Sequence, residues 1–257
     1  MSIRINEVIK KFKKYFKLRE PPIGFYYTKE PPQEVYKPHP RNKEAIPCII
    51  QFLNSVRRGR TIVLSRKSYR LCPGGQGYLG LRKMLKGLEY YLSTGIPSNE
   101  PNKMILEGER FKISPELARR FYEDLPLQDH SRDYAVFMPL KDFETKKIKP
   151  DLVIFLLNMD QLGGFVQLFN YDTNEGIKIG LTSACGTIVT EPMAEIGRKP
   201  VPRGVIGLLS DMLARRLVPP DIASFTVPFG RLLQIYSLMD DCFLGKEAWQ
   251  KILSRID

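Results

Sequence analysis

Apolar residues recur at Ile5, Val8, Ile9, Phe12 and Phe16, three or four apart, with lysines filling the positions between them. That spacing predicts an amphipathic helix over residues 5–17 with a lysine-rich outer face. The run "IGFYY" that follows is fenced by two Pro-Pro pairs and reads as a short strand. A second helix is expected to open at Pro47, a residue suited to the first helical position, and to run to Arg58, with Gly59 as its stop. "RTIVLSRKSY" then alternates in strand fashion. Beyond a Cys-Pro-Gly-Gly corner, Tyr78, Leu81, Leu85, Leu88 and Leu92 keep helical intervals, so residues 77–92 are expected to form a helix that Gly95 ends.

The pattern loosens over residues 95–133, which are polar and irregular apart from a brief helix opened by "SPEL", with Ser114 as cap and Pro115 at the first position. It then sharpens. "YAVFMPL" and "DLVIFLL" read as strands, the second buried by its unbroken apolar run. Residues 160–171 read as a helix weakened by Gly163 and Gly164. "IKIGLT" is a strand, "SACGTIVTEPMAEIG" a loop turning into a helix, "IASFTVP" a strand, and residues 229–240 a helix. Strands and helices interleave. The expected fold is α/β or α+β, a mixed sheet with interleaved helices. The domain reading is one unit over 1–257; if the chain has two lobes, their boundary falls within 95–133.

Composition changes this picture little. At 257 residues, 43% hydrophobic and 26% charged, the chain can bury a large core. Its longest strongly apolar run, Leu152–Leu157, is far short of the roughly 20 residues a membrane span needs. The basic N-terminus lacks the apolar stretch of a signal peptide. The chain therefore reads as soluble and cytoplasmic, with no membrane partner. A formal charge of +12 favours anionic partners, a small molecule or cofactor first. Nucleic acid is a weaker expectation, resting on the lysine face of residues 10–17 without any recognition helix or aromatic RNA-binding motif. The oligomeric state is not legible.

The chemistry concentrates on cysteine. Cys48, Cys72, Cys185 and Cys242 contain no C-x-x-C pair, which removes the common zinc-ribbon and thioredoxin readings. The two histidines, His39 and His130, lie in loop-like sequence, so a histidine-rich metal site or a cysteine–histidine catalytic pair is hard to build. Cys48, Cys72 and Cys185 each fall at an expected helix N-terminus, where unpaired N–H groups and the helix dipole are expected to lower a thiol pKa. Gly74 and Gly75 beside Cys72 would offer backbone donors. Three convergent thiolates suit an iron–sulfur cluster or a soft metal. Three buried apolar cysteines are the bland alternative, and Cys242 in "LMDDCF" is read that way outright. The glycines resemble a phosphate-cradling loop only loosely, since neither G-x-x-x-x-G-K-[ST] nor a full G-x-G-x-x-G is present. A cysteine nucleophile at Cys72 lacks a visible base.

Four stretches together resemble one family. "PPIGFYY", "VRRGRTIVLSRKSYRLCPGGQGYLGL", "PDLVIFLLNMDQLGGFVQLFNYD" and "ARRLVPPDIASFTVP" are similar to the domain of unknown function 169 family, an archaeal and anaerobe-associated group, over most of residues 20–240. The resemblance implies a shared fold and cysteines at the positions of Cys48, Cys72 and Cys185. It also implies a further Gly-Cys element shortly before the paired arginines. Here that stretch is "GVIGLLSDMLARR", with Ser210 or Asp211 as substitutes or the fourth position open.

The sequence thus leads to a redox or cofactor-related protein whose Cys48, Cys72 and Cys185 hold an iron–sulfur cluster or soft metal. Gly74 and Gly75 would be donors to it, and Arg58 or Arg215 its countercharge. The alternative is a metal-free binder of a phosphate-bearing metabolite or nucleotide at the Cys-Pro-Gly-Gly corner. Whether the chain is an enzyme is left open.

Overall fold

Successive residues of a strand point to opposite faces, and in this chain both faces are apolar. On β1 (Ile23–Thr28), Ile23 and Phe25 face one side and Tyr26 the other. On β3 (Tyr134–Pro139), Ala135 and Phe137 oppose Val136 and Met138, and on β4 (Leu152–Leu157), Leu152 and Ile154 oppose Val153 and Phe155. A sheet of this kind needs cover on both sides. The computed structural model, which describes residues 4–32, 47–67, 72–96, 107–126 and 133–256, provides it.

With β2 (Ile62–Ser65), β5 (Ile177–Ile179), β6 (Gly204–Gly207) and β7 (Ala223–Pro228), the strands form one seven-stranded sheet in the order β2-β3-β1-β4-β7-β6-β5. The strand pairs are antiparallel except β5 with β6, which is parallel. The α/β reading with a mixed sheet holds. A parallel pair needs a crossover, and the helical segment 184–194 makes it.

One face is aromatic. It is covered by α1 (Ile5–Phe16), α6 (Leu140–Lys146), α7 (Met159–Phe169), α10 (Phe229–Leu238) and α11 (Glu247–Arg255). Phe16 and Phe165 meet edge to face at 4.5 Å between centroids, and Phe165 also packs on Phe155 and Phe225. Cys242 lies here, buried, its thiol donating to the Met239 carbonyl at 3.3 Å. The exposed Asp240 accepts from Lys11 Nζ at 2.6 Å and from the Tyr15 hydroxyl at 3.2 Å, pinning α1 to the end of α10.

The other face is covered by α2 (Ile49–Arg57), α3 (Pro73–Tyr78), the start of segment 184–194 and α9 (Met212–Arg215). Two further short helices, α4 (Leu88–Tyr91) and α5 (Pro115–Glu123), are joined by Glu89, which accepts from Arg119 and Tyr122 at 3.1 Å each. Ser114 caps α5 as expected, accepting from the Leu117 amide at 3.2 Å.

Several expected boundaries moved. The helix expected over 77–92 is two short helices, because Gly80 and Gly87 take φ of 66° and 82° and end helical geometry between them. The second helix starts at Ile49 rather than Pro47, which makes Cys48 its N-cap. Strand β6 and helices α6 and α11 had no counterpart in the sequence reading. His39 and His130 lie outside the described residues.

Candidate thiol site

Three cysteines end up as the opening residues of three helical segments on one face of the sheet. Cys48 is the N-cap of α2, with extended backbone at φ −79° and ψ 156°, and its amide is held by Gln51 Oε1 at 2.9 Å. Cys72 is the N-cap of α3, with Pro73 at the first helical turn, and its Sγ accepts from the Gly75 amide at 3.2 Å. The expected corner is thus the first turn of a helix, and its glycines lie inside that helix. The Cys72 amide in turn donates to the Pro47 carbonyl at 3.4 Å, which ties this cap to the residue before Cys48.

Cys185 is the second residue of segment 184–194 and is 3% exposed. Ser183 precedes the segment, its hydroxyl accepting from the Gly186 amide at 3.4 Å. Residues Gly186–Thr190 then form a π-helical stretch before α8 (Glu191–Ala194) continues it. Pro192 cannot donate, and its ring would crowd an α-helical carbonyl; the wider π turn accommodates both.

Asp211 completes the group. As N-cap of α9 it accepts from the Ala214 amide through Oδ1 at 3.0 Å. Its Oδ2 accepts from the Ala184 amide, next to Cys185, at 2.9 Å. Ser210 is committed elsewhere, donating to the Thr182 carbonyl at 3.1 Å.

These residues feel one another's charge. The Cys185 thiol is pushed well above its ordinary value, chiefly by burial, then by Cys72, Cys48 and Asp211. Cys48 is pushed up to about 11, by burial first and then by Cys72 and Asp211, and Cys72 is raised by burial and by Asp211. Opposing this, N–H groups of Ile49 and Ile50 face Cys48, those of Gly74 and Gly75 face Cys72, and Ile49 also faces Cys185. The helix-terminal donors expected to lower the thiols are therefore in place, yet burial outweighs them. Among the described residues, no lysine or arginine is a leading charge acting on the three thiols. Protonated thiols of this kind make poor nucleophiles, and the structure gives no support to nucleophilic catalysis at Cys72.

Two tyrosines border the group, Tyr78, which the sequence marked only by its helical spacing, and Tyr91, which it did not single out. Tyr78 is 4% exposed, its hydroxyl partnered by Ser183 and raised by burial and by the charges of Cys185 and Asp211. Tyr91 is raised by burial and by Glu109, Asp211 and Cys72. Nothing in their sequence context distinguishes them from packing residues.

Arg58 and Arg215 are not brought to the thiols. Arg58 is the C-cap of α2, ten residues on from Cys48, and a rise of about 1.5 Å per residue puts it roughly 15 Å away. It lines a separate cleft of about 360 Å³ with Glu20, Asn54, Arg57, Leu217 and Pro219. Arg215 turns its guanidinium onto the Ile222 and Pro220 carbonyls. Gly74 and Gly75 are at the site, but their amides point at Cys72 rather than into open space. A phosphate there would have to displace the sulfur as their partner.

All four cysteines are free. Among the described residues, no three His, Cys, Asp or Glu side chains meet closely enough to hold a single metal ion, and no helix is long and apolar enough to cross a membrane.

Fold and site together define a mixed α/β protein with a group of buried and half-buried thiols at the starts of helical segments. Over residues 11–237 the chain matches the domain of unknown function 169 family, described as uncharacterised ArCR, and it belongs to that family. Neither a curated protein nor a solved structure matches it.

Proposed function

We propose that the protein holds an iron–sulfur cluster, or a related soft-metal centre, through Cys48, Cys72 and Cys185, and works in redox or cofactor-linked chemistry in the cytoplasm. One observation carries the reading. Three cysteines from distant parts of the chain, Cys185 buried and Cys48 and Cys72 half-buried, lie within range of one another's charge, with backbone N–H groups aimed at the sulfurs and, among the described residues, no leading basic charge to balance them. A metal centre supplies the missing positive charge, prefers sulfur donors, and is stabilised by N–H groups directed at its thiolates. A cluster also suits thiols too far apart for one ion, since each thiolate holds a different iron.

Cys242 shows what a purely structural cysteine looks like in this protein: buried in the aromatic core with its thiol bonded to a local carbonyl. No such acceptor is found for the other three thiols among the described residues. A reducing compartment, where unpaired thiols persist, fits four free cysteines.

The test is the visible spectrum of protein purified and reconstituted without oxygen, with iron and sulfide assayed together. The expected result is a broad iron–sulfide absorption that Cys72→Ser abolishes and Cys242→Ser leaves intact. A colourless protein after reconstitution makes the three cysteines structural and brings forward the metabolite-binding reading.

A further inference from the structure

The cleft that holds Arg58 lies apart from the thiol group and has a chemistry of its own. We propose that it binds a small organic monocarboxylate, one carboxylate on a short apolar body. The proposal does not depend on the cluster reading above. Arg58 is roughly 15 Å along α2 from Cys48, so an acid held here is bound at a second site.

The cleft is lined by Glu20, by Asn54, Arg57 and Arg58 from the last turn of α2 and its cap, and by Leu217 and Pro219 beyond α9. Arg57 is already fixed in place. Its Nε donates to Glu20 Oε2 at 2.6 Å, its Nη2 donates to Glu20 Oε1, and its Nη1 donates to Asn54 Oδ1 at 2.8 Å. A guanidinium has five N–H donors, and these bonds leave one on each terminal nitrogen for a further acceptor. Arg58 is exposed beside it, and its guanidinium has no partner among the described residues. The apolar side is also fixed. Arg215 donates to the Pro220 and Ile222 carbonyls, and the Ile222 amide donates to the Pro219 carbonyl at 3.1 Å. The loop that carries Leu217 and Pro219 is thereby held in one shape, and little ordering is left for a ligand to bring about.

Charge and size select the ligand. Glu20 balances Arg57, so Arg58 gives the lining one net positive charge. A monocarboxylate neutralises it. A phosphate group, at about −1.5 to −2 near neutral pH, would leave surplus negative charge beside Glu20. Leu217 and Pro219 offer an apolar surface that a short hydrocarbon body can cover and an inorganic anion cannot. At about 360 Å³ the cleft lies at the low end of the roughly 300–1,000 Å³ of small-molecule sites, which suits a small acid.

The experiment titrates the isotope-labelled full chain with isovalerate, and in parallel with inorganic phosphate and with isovaleramide, the uncharged analogue. The Arg57 Nε and Asn54 side-chain resonances are followed by NMR. Isovalerate is expected to shift both saturably, with a dissociation constant on the order of 1 mM, whereas phosphate and isovaleramide leave them in place. Arg58→Gln is expected to weaken isovalerate about tenfold, the loss of one hydrogen bond to a charged group, and to melt as wild type does. Pro219→Asp sets a competing carboxylate in the cleft at a turn position that aspartate favours, and is expected to abolish binding. Absence of a saturable shift with isovalerate, or unchanged affinity in either variant, would overturn the site. Tighter binding of phosphate, or equal binding of isovaleramide, would overturn the monocarboxylate assignment. None of these outcomes bears on the cluster reading, which the visible spectrum tests separately.

Discussion

The two faces of the sheet are built on different principles. The aromatic face is covered by helices of seven to twelve residues whose rings interlock around Phe165, and its one cysteine is satisfied locally. The thiol face is covered mostly by shorter pieces, the six-residue α3, a π-helical stretch and the four-residue α9 among them. It also carries polar groups that packing alone does not call for. Ser224 and Thr226, alternating with Phe225 on β7, are buried there with hydroxyls that have no partner among the described residues. Helices that short gain little from their own hydrogen bonds and are held by their ends. Their caps bring together three sulfurs and a carboxylate. One face stabilises the fold, and the other gathers chemistry.

If that division is right, the largest effects on stability come from the aromatic face. Phe165→Ala removes a ring that touches Phe12, Phe16, Phe155, Phe169 and Phe225, and should cost about 3–5 kcal/mol in denaturant unfolding. A cost below about 1 kcal/mol would break the contrast. Gly164→Ala comes next. A Cβ there would lie 2.3 Å from the Trp249 ring and 2.8 Å from Phe16, and the overpacking should cost about 1–3 kcal/mol, read from the same unfolding curves.

On the thiol face, the expected stability effect of the metal-free protein is a pH dependence. Below the ordinary cysteine value, taken as 9.0, folded and unfolded chains both hold the Cys48 proton; between there and about 11 only the folded chain keeps it. Stability is therefore fully present below pH 9 and falls as pH rises, by at most about 1.4 kcal/mol per unit from this group. Urea midpoints of wild type and Cys48→Ser at pH 8.5 and 10.5, taken as roughly bracketing that window, measure it. Wild type should lose more than the variant, and equal losses would show that Cys48 is not held protonated by the fold.

Cys72→Ser should have the smallest effect on stability and the largest on function. Serine is a good N-cap and can accept from Gly75 as the sulfur does, so unfolding should shift by less than about 1 kcal/mol. The iron–sulfide absorption should vanish. A variant that unfolds readily would place Cys72 with the structural residues instead.

The aromatic face was legible in the sequence because its signals are periodic and local. Ile5, Val8, Phe12 and Phe16 fall at helical spacing and are all buried. Asn158 and Gln161 form a capping box that starts α7 one residue before the expected position. The thiol face was legible only in its parts. Its cysteines stood out beside Pro47, Pro73 and a strand end, and residues 77–92 gave a convincing helical pattern. The positive φ of Gly80 and Gly87 broke that pattern into two pieces. Arg58 and Arg215 carried the right charge, but α2 runs Arg58 away from the cysteines, and carbonyl groups claim Arg215.

By itself, then, the sequence determined the mixed α/β class, most of the long helices and strands, and which cysteines begin helical segments. These follow from spacing along one segment of chain, where each residue's neighbours are a few positions away. The tertiary structure decided that Cys48, Cys72, Cys185 and Asp211 share one place, that burial overrides their helix-end donors, and that Tyr78 and Tyr91 border them. Thiol ionisation depends on the surrounding dielectric and on charges from other segments. Those surroundings exist only once α2, α3, α9 and the crossover segment have packed against the same face of the sheet.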